Sequence, residues 1–598
     1  MVDGHCMKAL PYSCLLLTLG LSQAATLTWD SGDTGNGSTI DPAAGTWDTT
    51  AGNLSWNNAG TNVAWTQTSP TAALNAAIFG GADGTYGITI GGGLATQSVR
   101  FQNSGYTLSA ASAQTIRVGN SSGNNTVVTV DAGKTATIGA NVTVQQAGTA
   151  FFGSTGATAG GTLVIASGGI YEQSAANTWA MDGSGSLVQV KAGGILRMTS
   201  ASSQFVVGAT TGASPTLWVD GGSVSINGTS TQFILGSGTG DVKGTLTMDG
   251  GSVSMAAGTS RALTLGGQAG NTGTVNLNGG TLSVRQVVKG NVDATANFNF
   301  NGGTLRAVSS GSAATFMTGL TRANVRNGGA FVDTNGFNLT IGQALEHSNI
   351  GGDNASDGGL TKKGSGTLTL TGTSTYTGAT TIQAGTLALT GTASIDNSSK
   401  IDLAGGNLDV SGLSSTFQVK AGQALTGSGN ITGNTTIAGI HAVGSSPGLQ
   451  SFSAGLQYLA SGTLSWDLAA DTTSNRGLTA GYDAVNVTGG TLSVASGATI
   501  NLVFNSSGAT TDFTSIFWDS AQSWLVIDLS GSGTDGGGSF TIGSVGLDAN
   551  GASSLPQGSF STRNDGGDHW VDWTPVPEPA TALLGSLGLL ALLRRRKD

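Results

Sequence analysis

Thr216-Leu217-Trp218-Val219-Asp220-Gly221-Gly222-Ser223-Val224-Ser225-Ile226 returns as Thr245-Leu246-Thr247-Met248-Asp249-Gly250-Gly251-Ser252-Val253-Ser254-Met255. A third copy follows as Thr274-Val275-Asn276-Leu277-Asn278-Gly279-Gly280-Thr281-Leu282-Ser283-Val284, and a fourth, shortened one as Asn297-Phe298-Asn299-Phe300-Asn301-Gly302-Gly303-Thr304-Leu305. From Gly221 to Gly250 is 29 residues, from Gly250 to Gly279 another 29, and from Gly279 to Gly302 is 23. Phe205-Val206-Val207-Gly208, Phe233-Ile234-Leu235-Gly236 and Leu263-Thr264-Leu265-Gly266 lie between the copies and repeat in step with them. A period of this length marks a solenoid, in which a repeat buries its apolar face only against its neighbours.

Within each copy apolar residues alternate with Ser, Thr or Asn, the period-2 pattern of a strand with one buried face. Asp-Gly-Gly or Asn-Gly-Gly then breaks the run, because Gly supplies positive φ and Asn or Asp tolerates it. No helix-period segment intervenes. Each period of 23–30 residues therefore reads as one coil of a parallel β-helix. The same Asn-Gly and Asp-Gly pairs also suit antiparallel hairpins of a sandwich, but the long period favours the solenoid. This register expects Leu217, Leu246 and Leu277 to point inward in one column.

The composition agrees. Of 598 residues only 9% are charged, 38% are hydrophobic and 99 are Gly. Disordered chains combine low hydrophobicity with high net charge, whereas here the hydrophobic residues are plentiful and alternate. A net charge of −10 argues against nucleic acid as a partner. Both cysteines, Cys6 and Cys14, lie near the N-terminus, so a chain that loses this segment has no disulfide, thiolate metal site or cysteine nucleophile.

Residues 1–24 read as a secretory signal for the Sec export machinery: Lys8, the apolar run Leu15 to Leu21, and a small-residue cleavage site between Ala24 and Ala25. Residues 25–110 hold Trp29, Trp47, Trp56 and Trp65 and read as an N-terminal β cap, with an aromatic sugar platform as the alternative. Residues 111–440 carry the coils. Residues 441–573 form a closing β region, denser in aromatics, and 574–598 form a terminal segment.

Catalytic patterns are absent from this reading. His347, His441 and His569 are far apart and lack zinc-ligand spacing. Asp30, Asp33 and Asn36 do not follow a calcium-loop pattern and read as turn residues. Asp220 and Asp249 stack one coil apart beside Asn278, but as turn residues without an accompanying Lys or Arg ladder. We therefore expect no catalytic residue, no metal and no cofactor, with a polysaccharide lyase or hydrolase on the same scaffold as the alternative.

Two stretches carry resemblances. Gly359-Leu360-Thr361-Lys362-Lys363-Gly364-Ser365-Gly366-Thr367-Leu368-Thr369-Leu370, with Tyr376-Thr377-Gly378 and Gly385-Thr386-Leu387, resembles the autotransporter-associated β-strand repeat, also called the passenger-associated transport repeat. The resemblance spans residues 359–389 and implies a right-handed parallel β-helix on a secreted or surface-displayed passenger. Trp29-Asp30, Trp47-Asp48 and Ala77-Ile78-Phe79-Gly80 are similar to the start of such proteins. After residue 440 the chain leaves too little length for a membrane β-barrel, so transport through a barrel of its own is not expected.

Pro577-Glu578-Pro579, the 14 apolar residues Ala580 to Leu593 and the basic cluster Arg594-Arg595-Arg596-Lys597 resemble the PEP-CTERM sorting signal of Gram-negative bacteria. That run falls short of the roughly 20 residues that comfortably span a bilayer, and the plain alternative is a permanent transmembrane tail anchor. The resemblance implies recognition of Pro577, Glu578 and Pro579 by an exosortase-type transpeptidase, with Arg594, Arg595 and Arg596 stalling translocation until processing. The expectation is an all-β protein, a right-handed parallel β-helix with β caps and a short C-terminal hydrophobic helix. Its expected role is structural and adhesin-like, passing through an inner-membrane intermediate to the cell surface, outer membrane or extracellular matrix, with exopolysaccharide or matrix as a partner.

Overall fold

The computed structural model describes residues 24–32, 37–69, 74–119, 126–146, 150–153, 158–174, 178–199, 204–227, 232–256, 262–309, 315–444, 447–551 and 557–576. Among these residues the elements are strands, apart from one short 3-10 helix, Ile516–Asp519.

Each long coil contributes one strand to each of three faces. Gln204–Val207, Gln232–Leu235 and Leu263–Leu265 stack in parallel on the first face. Ser214–Asp220, Lys243–Met248, Thr272–Leu277 and Thr295–Phe300 stack on the second. Ser223–Ile226, Ser252–Met255, Thr281–Val284 and Thr304–Ala307 stack on the third. The chain is a parallel β-helix, and the repeat seen in the sequence is its coil.

Identical or similar residues lie directly over one another inside the helix. Phe205 stacks on Phe233 with ring centroids 4.8 Å apart and planes 8° from parallel. Leu217, Leu246, Val275 and Phe298 form one inward column, all fully buried. Val219, Met248, Leu277 and Phe300 form the next. Leu277 thus points inward but stands two residues along from the column of Leu217 and Leu246, where Val275 takes its expected place. The strand period of two keeps both positions on the buried side, so alternation alone does not separate them.

The Gly-Gly corners are needed because successive coils touch there through their backbones. Gly251 has φ +70°, and a Cβ at that position would lie 2.0 Å from the carbonyl oxygen of Gly222 on the coil before.

The second face stops at Glu346–His347. Three short coils follow with two strands each: Leu360–Lys363 and Thr367–Leu370, Thr380–Ile382 and Thr386–Gly391, then Lys400–Ala404 and Asn407–Leu413. Leu360 lies over Thr380, so the coil has contracted to 20 residues. A new face then opens with Phe417–Val419, Thr435–Ile437, Leu456–Tyr458 and Thr491–Val494.

Parallel pairing continues without a break across residues 110 and 440. What changes toward the ends is the filling. Trp29, Trp47, Trp56 and Trp65 are all buried and pack edge to face or tilted, with centroids 4.8–5.2 Å apart. At the other end Trp466, Trp518, Trp524 and Trp573 are buried. There Gln522–Leu529 pairs antiparallel with Asp568–Pro575, which in turn pairs antiparallel with Gly558–Asp565. No helix among the described residues is long and apolar enough to cross a membrane.

The register makes a direct prediction. Leu246→Asp buries an unpaired charge between Leu217 and Val275 and should cost at least about 3 kcal/mol. Thr247→Asp, one residue away on the outer side, should cost less than about 1 kcal/mol. Urea unfolding midpoints of the two variants check this, and equal shifts would contradict the register.

Candidate functional site

The chemistry-bearing side chains concentrate where the second face ends and the coil contracts. Alternation along Leu360–Lys363 turns Leu360 and Lys362 inward, and Lys362 lies between Val332 on the preceding coil and Ile382 on the next. Lys362 is fully buried. Its Nζ donates to the carbonyl oxygens of Gly364 at 2.6 Å, Lys363 at 2.9 Å and Ala384 at 3.0 Å. Three carbonyls match the three N–H bonds of an ammonium. Burial pulls its pKa down to about 8, against the opposing charge of Asp333, so the group remains largely charged at neutral pH.

Asp357 holds the adjoining corner. Its Oδ1 accepts from the backbone N–H groups of Gly359 and Gly378, both at 2.9 Å. Its Oδ2 accepts from Thr377 N and faces His347 Nδ1, each at 2.8 Å. Burial works against the charge, but His347 and the three amides hold the carboxyl below its usual range. Gly359, at φ +72°, permits the approach: a Cβ there would meet Ala379 O at 2.0 Å.

Ion pairs close the last coil of the second face. Arg322 meets Glu346 at 2.8 Å, and Arg326 binds Asp353 through both Nε and Nη2. These groups pair with one another and with backbone. The arrangement is a polar staple for a change of coil shape, and its carboxylates and ammonium are occupied by protein partners.

The residues singled out in the sequence fall as follows. Asp220 and Asp249 do lie on successive coils beside Asn278. Asp220, however, is the last residue of the strand Ser214–Asp220 and not a turn residue, because the strand continues until Gly221 bends it. Asp220 accepts from Gln189 Nε2 at 3.0 Å. Asp249 accepts from Trp218 Nε1 at 2.7 Å and Asn278 Nδ2 at 2.8 Å. Asp30 is fully buried and accepts from Asp41 N and Asn57 Nδ2, while Asp33 and Asn36 lie outside the described residues. Among the described residues no group of three or more His, Cys, Asp or Glu side chains is placed to hold a metal ion.

His347, His441 and His569 stay apart, and His441 has a fully assigned role. Gln450 Nε2 donates to Thr426 O and Gly427 O, so its Oε1 must accept from His441 Nε2 at 2.8 Å. His441 Nδ1 then accepts from the Tyr458 hydroxyl at 2.6 Å. The imidazole is neutral, and burial pushes its pKa down to about 4. Sequence reading missed Lys362, Asp357 and His441 as buried polar groups. The one available signal was a lysine at an inward position of an alternating run.

Of the expected processing residues, Pro577, Glu578, Pro579, Arg594, Arg595 and Arg596 lie outside the described residues. The last backbone bond before them runs from Val576 N to Gln557 O at 2.7 Å. Ala25 is already tied into the fold, its N–H donating to Asn75 Oδ1 and its carbonyl accepting from Ala76 N.

Two expected outcomes test these assignments. Lys362→Met removes the donor for Gly364 O and Ala384 O and should cost about 2–4 kcal/mol. Lys363→Met, losing an outward stack over Phe331, should cost less than about 1 kcal/mol; chemical denaturation checks both. His441 has a folded pKa below its unfolded value near 6.5, so its contribution is complete above that value and is lost as pH falls toward 4. The full loss is about 3 kcal/mol. The difference in stability between wild type and His441→Gln, measured from pH 7 to pH 4, should therefore shrink on acidification.

Comparison with known proteins matches two segments of the chain. Residues 360–389 match the Passenger-associated-transport-repeat family, PATR, and residues 575–597 match the PEP-CTERM protein-sorting motif. No curated protein and no solved structure matches the chain. The protein is thus a parallel β-helix that carries one passenger-associated-transport repeat at its contracted coils and a PEP-CTERM sorting motif next to its closing strand.

Proposed function

We propose that this chain is an exported, adhesin-like structural rod of the cell surface or its matrix, held briefly at the inner membrane and released by an exosortase-type transpeptidase. The observation that carries the reading is the junction at Pro575. The sorting-motif match begins on the residue that ends the strand Asp568–Pro575, and that strand completes the closing antiparallel layer.

Cleavage near Pro579 would therefore leave the solenoid whole, since the last described bond is made by Val576. Pro577 and Pro579 lack the backbone N–H that a further sheet pairing would need. The basic cluster Arg594 to Lys597 keeps the far end of the apolar run on the cytoplasmic side. At the other end, removal of residues 1–24 would start the mature chain at Ala25, the residue whose amide bonds to Asn75. On this reading residues 25–110 and 441–573 cap the coils of 111–440 with buried tryptophans. The repeat match supports an autotransporter-type passenger role for the coils, and both matches are to transport and sorting families.

Mass spectrometry of the surface-localised protein from its native host tests the proposal. The expected C-terminal peptide ends near Pro579, and replacement of Arg594, Arg595 and Arg596 by Ser should leave unprocessed chain. An intact peptide ending at Asp598 on the surface form would rule out processing.

A further inference from the structure

The change of faces leaves a concavity along one side of the rod. Between the end of the second face at His347 and the growth of the new face from Phe417, the coils are bounded on that side by loops instead of strands. Three adjoining hollows follow, of about 460, 350 and 390 Å3. The first two share Leu413, Ser414, Ser415 and Thr416, and the last two share Thr416 and Asn434, so they form one groove parallel to the rod axis.

One wall is a ladder. Gln418, Thr436, Gln457 and Ser493 lie over one another on the outer side of the new face. In the adjacent column Asn434 and Thr491 flank Gly455, whose N–H donates to Asn434 Oδ1 at 3.0 Å. Among the described residues the side-chain amides of Gln418 and Gln457 make no hydrogen bond to the protein, and Gln457 is exposed. In the first hollow the loop Thr392 to Asp396 and the run Ser414 to Ser415 complete the lining, together with the apolar Leu389, Ile395 and Leu413. The only charges lining the groove, Asp396 and Lys420, pair with each other. Four coils at about 4.8 Å make a groove about 15–20 Å long.

We propose that this groove binds a neutral, hydroxyl-rich polysaccharide chain laid along the rod axis. The inference rests on the surface or matrix reading above and adds a ligand and a site to it. Amides and hydroxyls offer both donors and acceptors without charge, which is what sugar hydroxyls pair with. A chain of net charge −10 with a neutral groove has nothing to attract a polyanion. The ladder repeats every coil, so a polymer with a regular repeat can make the same contacts several times, each weak alone.

Affinity electrophoresis of the protein as isolated from the host envelope, through gels containing dextran, laminarin, mannan or alginate, tests the inference. Retardation by at least one neutral polymer and none by alginate is expected. Thr436→Arg, which fills the groove, and the double variant Gln457→Ala with Gln418→Ala should each weaken retention at least tenfold. These positions face outward, and unchanged circular dichroism and unfolding midpoints confirm that the variants fold. No retention by any of the three neutral polymers, retention by alginate alone, or retention unaffected by the variants would overturn the proposal. Surface display with no retention sinks only the groove, whereas retention without surface display sinks only the sorting reading.

Discussion

Everything in this molecule depends on vertical stacking of inward side chains. A single coil, whether the 20 residues from Leu360 to Thr380 or the 29 from Leu217 to Leu246, has no interior of its own. Its apolar side chains are buried because Leu217 is roofed by Leu246, Leu246 by Val275, and Phe205 by Phe233. The stability of each coil is thus conditional on its neighbours. A mistake in one column is felt locally, but an open end would expose a whole cross-section of core.

That constraint accounts for the two ends. Four buried tryptophans fill the cross-section near Trp29, and another group fills it near Trp573. Aromatic rings cover more area per residue than Leu or Val can. At the C-terminal end the backbone also reverses, so that Gly558–Asp565 becomes the outermost strand of its sheet. Its side chains include Ser559, Ser561, Arg563 and Asp565, all exposed. A polar, charged edge discourages pairing with another chain.

The polar groups obey the same vertical logic. On the outer second face Asn299 Nδ2 donates to Asn276 Oδ1, and Asn324 Nδ2 donates to Asn299 Oδ1, each at 2.8 Å. Each amide binds the coil before it, as a stacked strand does. Where coils contract, this regular ladder has no partner one step along. Lys362 and Asp357 bind there instead, Lys362 gathering carbonyls at one end of the strand Leu360–Lys363 and Asp357 gathering amides at the other. The groove that begins at Leu389 lies further along, where the contracted coils give way to the new face.

Several features were legible in the residues alone because they depend on local periodicity. Alternation and the Asp-Gly-Gly corners between Thr216 and Val284 define strands, turns and coil length. The motifs at Leu360 to Leu389 and at Pro577 to Lys597 stand in the order of the chain itself. Other features were decided only by three-dimensional stacking. Alternation alone places Leu246, Val275 and Leu277 inside, and it is the 29-residue spacing of the copies, realised in the pairing, that sets Val275 and not Leu277 over Leu246. The pairing of Gln450 with His441 joins two faces, and the bond from Lys362 to Ala384 O and the opening between Thr392 and Ser493 join different coils. Such contacts depend on how far the chain travels around the axis before it returns, and that path length is set by the whole coil, not by any window of sequence.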